Sequence, residues 1–233
     1  MGEGPPRSRA TRQTPAARLP PALSPATPTR AGSPPTAGEL LKRHSYEGAD
    51  QALANLLVEW ERWSAELLES HLSYPVLGYY RSQHDNQSWI GSLTAILDVC
   101  ALAMSGMEGV CQYQARMTFA IARHALVDLS QVFGAAPDKD GADGRLLPED
   151  LAAMRQQLSA AGFRLSDDSA ANGELTRLRG LYEPYAITLA RHLALDLPPW
   201  IKRAEAKDNW QTTAWAQQQT SVGTRQQVAG DEH

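Results

Sequence analysis

The stretch 89–107, WIGSLTAILDVCALAMSGM, decides the fold class. Its positions Trp89, Ile90, Leu93, Ile96, Leu97, Cys100, Ala101, Met104 and Met107 recur at three- and four-residue steps, the period of a helix. No other element of the chain is as apolar. A bilayer span needs about 20 apolar residues, whereas the run Leu93–Met107 holds 15 and contains Asp98. The stretch therefore describes a buried helix rather than a membrane span, and the carboxylate inside it must find a partner or be neutralised.

The elements before it follow the same period. Asp50 is placed to cap a helix of about twenty residues, with Leu53, Leu56, Leu57, Trp60, Trp63 or Ser64, Leu67 and Leu68 along its packing stripe. Glu59, Glu61, Arg62, Glu66 and Glu69 fill its wet face. Trp60 and Trp63 read as a rigid core contact. Pro75 disfavours helix at Tyr74, which leaves Ser73–Gln83 as a turn or short helix, and Asp85 or Asn86 then caps the apolar helix.

After it, Gly106 and Gly109 end the helix and a returning one spans about Cys111 to Phe133. Tyr113, Met117, Ala120, Ile121 and His124 form one stripe of this element. Phe119, Ala122, Leu126, Leu129 and Phe133 form another, so it is expected at the centre of a bundle. The segment Gly134–Leu147 has the Gly, Pro and Asp content of an exposed loop, the natural insertion point. Pro148, Glu149 and Asp150 suit the first turn of a fourth helix through Leu151, Met154, Leu158 and Ala161, stopped at Gly162. Leu175, Leu178, Tyr182, Tyr185, Ala186, Leu189 and Leu193 mark a last long helix, kinked at Pro184. Leu197, Pro198, Pro199 and Trp200 end the folded part. No alternating strand pattern or internal repeat occurs. The expected fold is all-α, a bundle of five or six helices with disordered N- and C-terminal tails.

Composition sets the boundaries. Residues 1–38 hold nine of the fifteen prolines, five Arg and a single acid, Glu3. With only Met1, Leu19 and Leu23 as large apolar residues, this segment is expected to be a disordered tail. Its prolines also oppose the amphipathic helix of an organellar transit peptide, and no apolar run follows its arginines as in a secretory signal. Residues 202–233 read as a second, polar tail. Between them, residues 39–201 form the helical domain with 13 basic and 21 acidic side chains, a formal charge of about −8. An acidic folded part argues against nucleic acid as a partner. Cys100 and Cys111 are too few for a disulfide scaffold and suit a reducing compartment, so the expected location is cytoplasmic.

The sequence contains no GxGxxG, GxxxxGK[ST], HExxH, CxxC or GxSxG motif, and no Glu-x-x-His step of a di-iron bundle. Three weaker constellations remain. In the first, His71, Tyr74, Arg81, His84, Asp85, Asn86 and Trp89 form a polar cluster framed by aromatics. It serves either as a metal or general-base site through His71, His84 and Asp85, or as caps and turn hydrogen bonds at a helix junction. In the second, a hairpin brings Arg123 and His124 beside Asp98, with Asp128 one turn beyond His124. That group is either a titrating switch or a structural buried pair. In the third, Tyr74, Tyr79, Tyr80 and Trp89 either stack a ligand or pack the junction.

The runs EWERWSAELLESHLSYP (59–75) and YYRSQHDNQSW (79–89) resemble the cytosolic C-terminal region of bacterial two-transmembrane potassium-channel-like proteins. TAILD (94–98), TFAIARHALVDL (118–129), LYEPY (181–185) and LPPW (197–200) are similar to later parts of that region, so the resemblance covers about residues 39–201. It implies a cytosolic domain placed after two membrane helices and a filter of backbone carbonyls. This sequence shows neither a span nor a TVGYG-like filter, and a Pro-rich segment stands in their place. The chain is therefore expected not to conduct ions alone. It reads either as a stand-alone relative or as the product of a truncated gene.

The resemblance assigns no catalytic, cofactor or metal role to any residue. The resulting expectation is a non-enzymatic regulatory or assembly module without cofactor, partnered by further copies, a channel subunit or a membrane-associated protein. The alternatives are a metal-dependent enzyme or a small-ligand sensor built on His71, His84 and Asp85.

Overall fold

The computed structural model describes residues 36–45, 49–79, 88–108, 110–137 and 144–201. These form an all-α bundle. A seven-residue helix α1 (Ala37–Arg43) precedes six longer ones: α2 (Ala49–Ser73), α3 (Trp89–Met104), α4 (Gln112–Val132), α5 (Pro148–Ala160), α6 (Ser169–Gly180) and α7 (Glu183–Leu193). A 3₁₀ turn, Pro75–Tyr79, lies between α2 and α3 where the proline was expected to break the chain. Among the described residues there is no strand, only a single bridge between Met107 and Leu165.

Apolarity places α3 at the centre. Every residue from Trp89 to Ala103 is buried. Around it α2, α3 and α4 run up, down and up. At one level Thr118 of α4 donates to the Leu57 carbonyl of α2 at 2.9 Å. At the far end Tyr79, just past α2, meets the ring of Phe133, just past α4. The two helices are therefore parallel. Trp60 and Trp63 pack edge to face in the core, their centroids 4.7 Å apart.

Several boundaries differ from the expectation. Thr36 is buried and its side chain caps α1 by accepting from the Glu39 amide at 3.2 Å, while Gly38 N–H reaches the Trp200 carbonyl at 3.1 Å. Residues 36–38 thus belong to the fold rather than to the tail. Helix α2 starts at Ala49, so Asp50 lies within its first turn. Ser88 caps α3, accepting from Gly91 N–H at 3.0 Å; Asp85 and Asn86 lie outside the described residues. The expected long helix is two helices, because Pro184 occupies the first turn of α7 rather than kinking a continuous one. Of the tails expected over residues 1–38 and 202–233, residues 1–35 and all of 202–233 lie outside the described residues.

The largest correction concerns α4. Its stripe of Ala115, Phe119, Ala122, Leu126 and Leu129 is buried, but the stripe expected to pack on the other side is not. Tyr113 is 71% exposed and Met117 40%. Helix α3, not α4, is the central one.

Candidate functional site

Asp98 lies at the middle of the buried helix α3, and its partner comes from the segment read as an exposed loop. Both terminal nitrogens of Arg145 donate to the carboxylate, Nη1 to Oδ1 at 3.0 Å and Nη2 to Oδ2. The Tyr182 hydroxyl, at the start of α7, donates to Oδ1 at 2.5 Å. Nη1 of Arg145 also reaches Glu183 Oε1 at 2.8 Å, and Nη2 reaches the Pro198 carbonyl at 3.2 Å. Glu183 accepts further from Trp200 Nε1 at 3.3 Å and, through Oε2, pairs with Arg179 at 2.9 Å. The guanidinium carbons of Arg145 and Arg179 lie 5.5 and 5.8 Å from the Trp200 ring centroid, within cation–π range. Two carboxylates and two guanidiniums thus balance in the interior. They tie α3, the segment before α5, α6, α7 and the 197–201 segment to one another.

Burial dominates the electrostatics. It pushes the Asp98 carboxyl up to about 6, against the pull of the adjacent Arg145 charge. Burial also works against the Arg145 charge, but the Asp98 carboxylate outweighs it and holds the guanidinium protonated. Tyr182 is raised well above its ordinary value, first by burial and then by Asp98, so its hydroxyl stays a donor. Burial and the same carboxylate push the Cys100 thiol up, which keeps it from forming a thiolate. Each carboxylate accepts several hydrogen bonds and both are sealed from solvent. The cluster holds segments of the bundle together from within.

The residues expected to gather around Asp98 lie elsewhere. Arg123 donates its Nε to the Leu181 carbonyl at 3.0 Å, fixing the link between α6 and α7. His124 and Asp128 pair with each other at 3.5 Å on the outside of α4, the histidine 61% exposed. They are neither buried nor next to Asp98. The sequence reasoning missed Arg145, Tyr182, Glu183 and Arg179. The available signal was Asp98 itself, since a carboxylate in an apolar helix demands a cation, and Arg145 directly precedes the apolar pair Leu146-Leu147.

The polar cluster of the 71–89 region is only partly described. Arg81, His84, Asp85 and Asn86, and also Tyr80, lie outside the described residues. His71 is buried; its Nδ1 donates to the Leu67 carbonyl at 2.9 Å, and Nε2 is left facing the interior without a hydrogen-bond partner. Its ring is 5.1 Å from that of Trp89, whose indole N–H reaches the Gly78 carbonyl at 3.2 Å. Burial holds the His71 imidazole below its usual range, hence neutral. Among the described residues no group of three or more His, Cys, Asp or Glu is placed to hold a metal ion. The aromatic stretch is divided, with Trp89 inside and Tyr74 and Tyr79 exposed.

The exposed apolar side chains have one address. Among the described residues, the large hydrophobics left exposed all belong to α2, the 3₁₀ turn, Tyr74 that joins them, or α4. Val58 and Leu72 project from α2, and Tyr113, Met117 and Val132 from α4. Tyr74, Val76 and Tyr79 continue the surface around the turn.

No family model, curated protein or solved structure was found to match the chain. None of the helices among the described residues is long and apolar enough to cross a membrane.

Proposed function

We propose that this chain is a non-enzymatic regulatory or assembly module that acts by binding protein through the α2–turn–α4 side. One observation carries this reading: among the described residues the large exposed hydrophobics belong to those elements, whereas the Asp98–Arg145–Glu183 charge cluster is sealed within the bundle. A one-sided apolar surface on a helical scaffold is the physical mark of a docking face. The further expectation of a domain related to the cytosolic part of potassium-channel-like proteins rests on the sequence runs at 59–75 and 79–89, and it places the module in the cytoplasm.

The test is size fractionation of extracts from cells making the full chain. Wild type and an Arg177→Glu control on α6, outside the α2–turn–α4 elements, are expected in assemblies larger than the chain. Met117→Glu is expected to shift to smaller size with its helix content unchanged. Identical profiles for all three would overturn the reading.

A further inference from the structure

His71 lies buried two residues before the end of α2, at the junction where α2, the 3₁₀ turn and α3 meet. We propose that it is a proton-operated catch: uptake of a proton at its Nε2 opens this junction while the rest of the bundle stays folded. The contacts around the ring show how the catch is held. Nδ1 donates to the Leu67 carbonyl at 2.9 Å, with the Ser70 hydroxyl 3.2 Å away, so Nε2 carries the lone pair. That lone pair has no hydrogen-bond partner. The ring packs at 5.1 Å on Trp89, the first residue of α3, whose indole N–H donates to the Gly78 carbonyl at 3.2 Å. A side-chain carbon on Gly78 would meet the Phe133 ring, so the turn lies directly on the end of α4. One line of contacts thus joins α2, α3, the turn and α4, and His71 is its first link.

No counter-charge stands ready for an imidazolium. From α2 the ring faces the Leu67 carbonyl and the Ser70 hydroxyl, and from α3 the Trp89 ring. The Gly78 carbonyl of the turn is already taken by Trp89. Among the described residues no charged group acts on the imidazole; burial disfavours its cation, and only the Leu67 hydrogen bond opposes this. Glu66 and Glu69 of α2 are exposed, and His124 and Asp128 of α4 pair with each other at the surface. A proton on Nε2 would therefore bury a charge and a donor with nothing to accept them. The Trp89 ring alone attracts a cation, and one ring does not replace a hydration shell. Water reaches Nε2 when the junction opens, so opening takes up a proton and acid favours it.

The junction is also the place where opening disturbs least. Of the five residues of the turn only Gly78 is buried, and helix ends with few buried contacts open before the core does. Tyr74, Val76 and Tyr79 lie on the segment that is released, so the opening also reshapes the turn end of the docking face. That consequence rests on the docking reading; the opening itself does not.

Hydrogen–deuterium exchange of the purified full chain at pH 7.5, 6.5 and 5.5, corrected for the pH dependence of chemical exchange, tests the catch without any partner. Protection of residues 74–79 and 89–93, relative to residues 119–129 of α4, is expected to fall by up to about tenfold per pH unit below the ordinary histidine value of 6.5. In His71→Phe, which keeps a ring on Trp89, and in His71→Gln, which cannot become a cation, the ratio is expected to stay within about twofold across the series. Where a variant loses helix content, the wild-type ratio and the other variant decide. A wild-type ratio that does not change with pH, or one that falls as far in the folded variants, would overturn the proposal. So would an equal loss of protection in α4, because the event would then be global unfolding.

Discussion

Arg145 grips Asp98 with both ends of its guanidinium from 47 residues further along the chain. A planar fork matched to a carboxylate is the geometry that makes a buried pair tolerable. It also explains why a segment rich in Gly and Asp ends in a fixed position: Leu146, directly after Arg145, is buried.

Removing that grip should be costly. Arg145→Met leaves Asp98 and Glu183 buried without their shared cation, and a loss of about 3–5 kcal/mol is expected. Arg145→Lys keeps the charge but not the fork, so its loss should be intermediate. Urea unfolding of the full-length variants measures both. Losses below about 1 kcal/mol for Arg145→Met would show that the cluster does not hold the segments together.

The pH dependence has a defined sign for Asp98. Its carboxyl rises from an ordinary 3.8 to about 6 in the fold. Between about pH 4 and 6 the folded chain therefore keeps a proton that the unfolded chain releases. The Asp98 contribution is largest below this window and falls as pH rises through it. The stability advantage of wild type over Asp98→Asn should thus be greater at pH 4.5 than at pH 7, by on the order of 1–3 kcal/mol. An advantage that grows with pH would mean that Arg145 outweighs burial.

His71 works in the opposite direction. Burial lowers its pKa, and the Leu67 hydrogen bond only partly opposes this. The unfolded chain takes up a proton that the fold refuses, so the His71 contribution is complete above about pH 6.5 and is lost as pH falls. Between pH 7.5 and 5, wild type should lose stability relative to His71→Phe, which keeps a ring against Trp89. Equal slopes for the two proteins would count against a buried neutral imidazole.

Gly78 is a steric requirement. A Cβ at this position would sit 2.2 Å from Phe133 Cζ, and the ring has little room to retreat because Tyr79 packs against it. Gly78→Ala should cost roughly 1–3 kcal/mol. Adding Phe133→Leu should recover part of it, giving a non-additive cycle in thermal or urea unfolding. Strict additivity would argue against the close approach.

What the sequence revealed divides along a physical line. The helices α2 to α5 were legible because each needs only its own period, and α3 announced its burial through near-continuous apolarity. Partners across the bundle were not. Arg123 and His124 looked right for Asp98 because they lie on the neighbouring helix, yet they face away from it, one toward Leu181 and one toward water. Arg145 was hidden by the Gly and Asp around it, which describe chain flexibility and not the destination of one long side chain. The outer stripe of α4 was misplaced for a related reason. Periodicity shows that Tyr113, Met117 and Ile121 share a face, but not whether another element covers it.

That uncovered face is the account's central claim, and photo-crosslinking reads it most directly. A photoreactive phenylalanine analogue would be placed at position 117 of the full chain, and in a second preparation at position 177, then irradiated in cells. Protein adducts from position 117 and few or none from 177 are the expected result. Equal yields from both positions, or none from 117, would contradict the claim that α2 and α4 present a docking face.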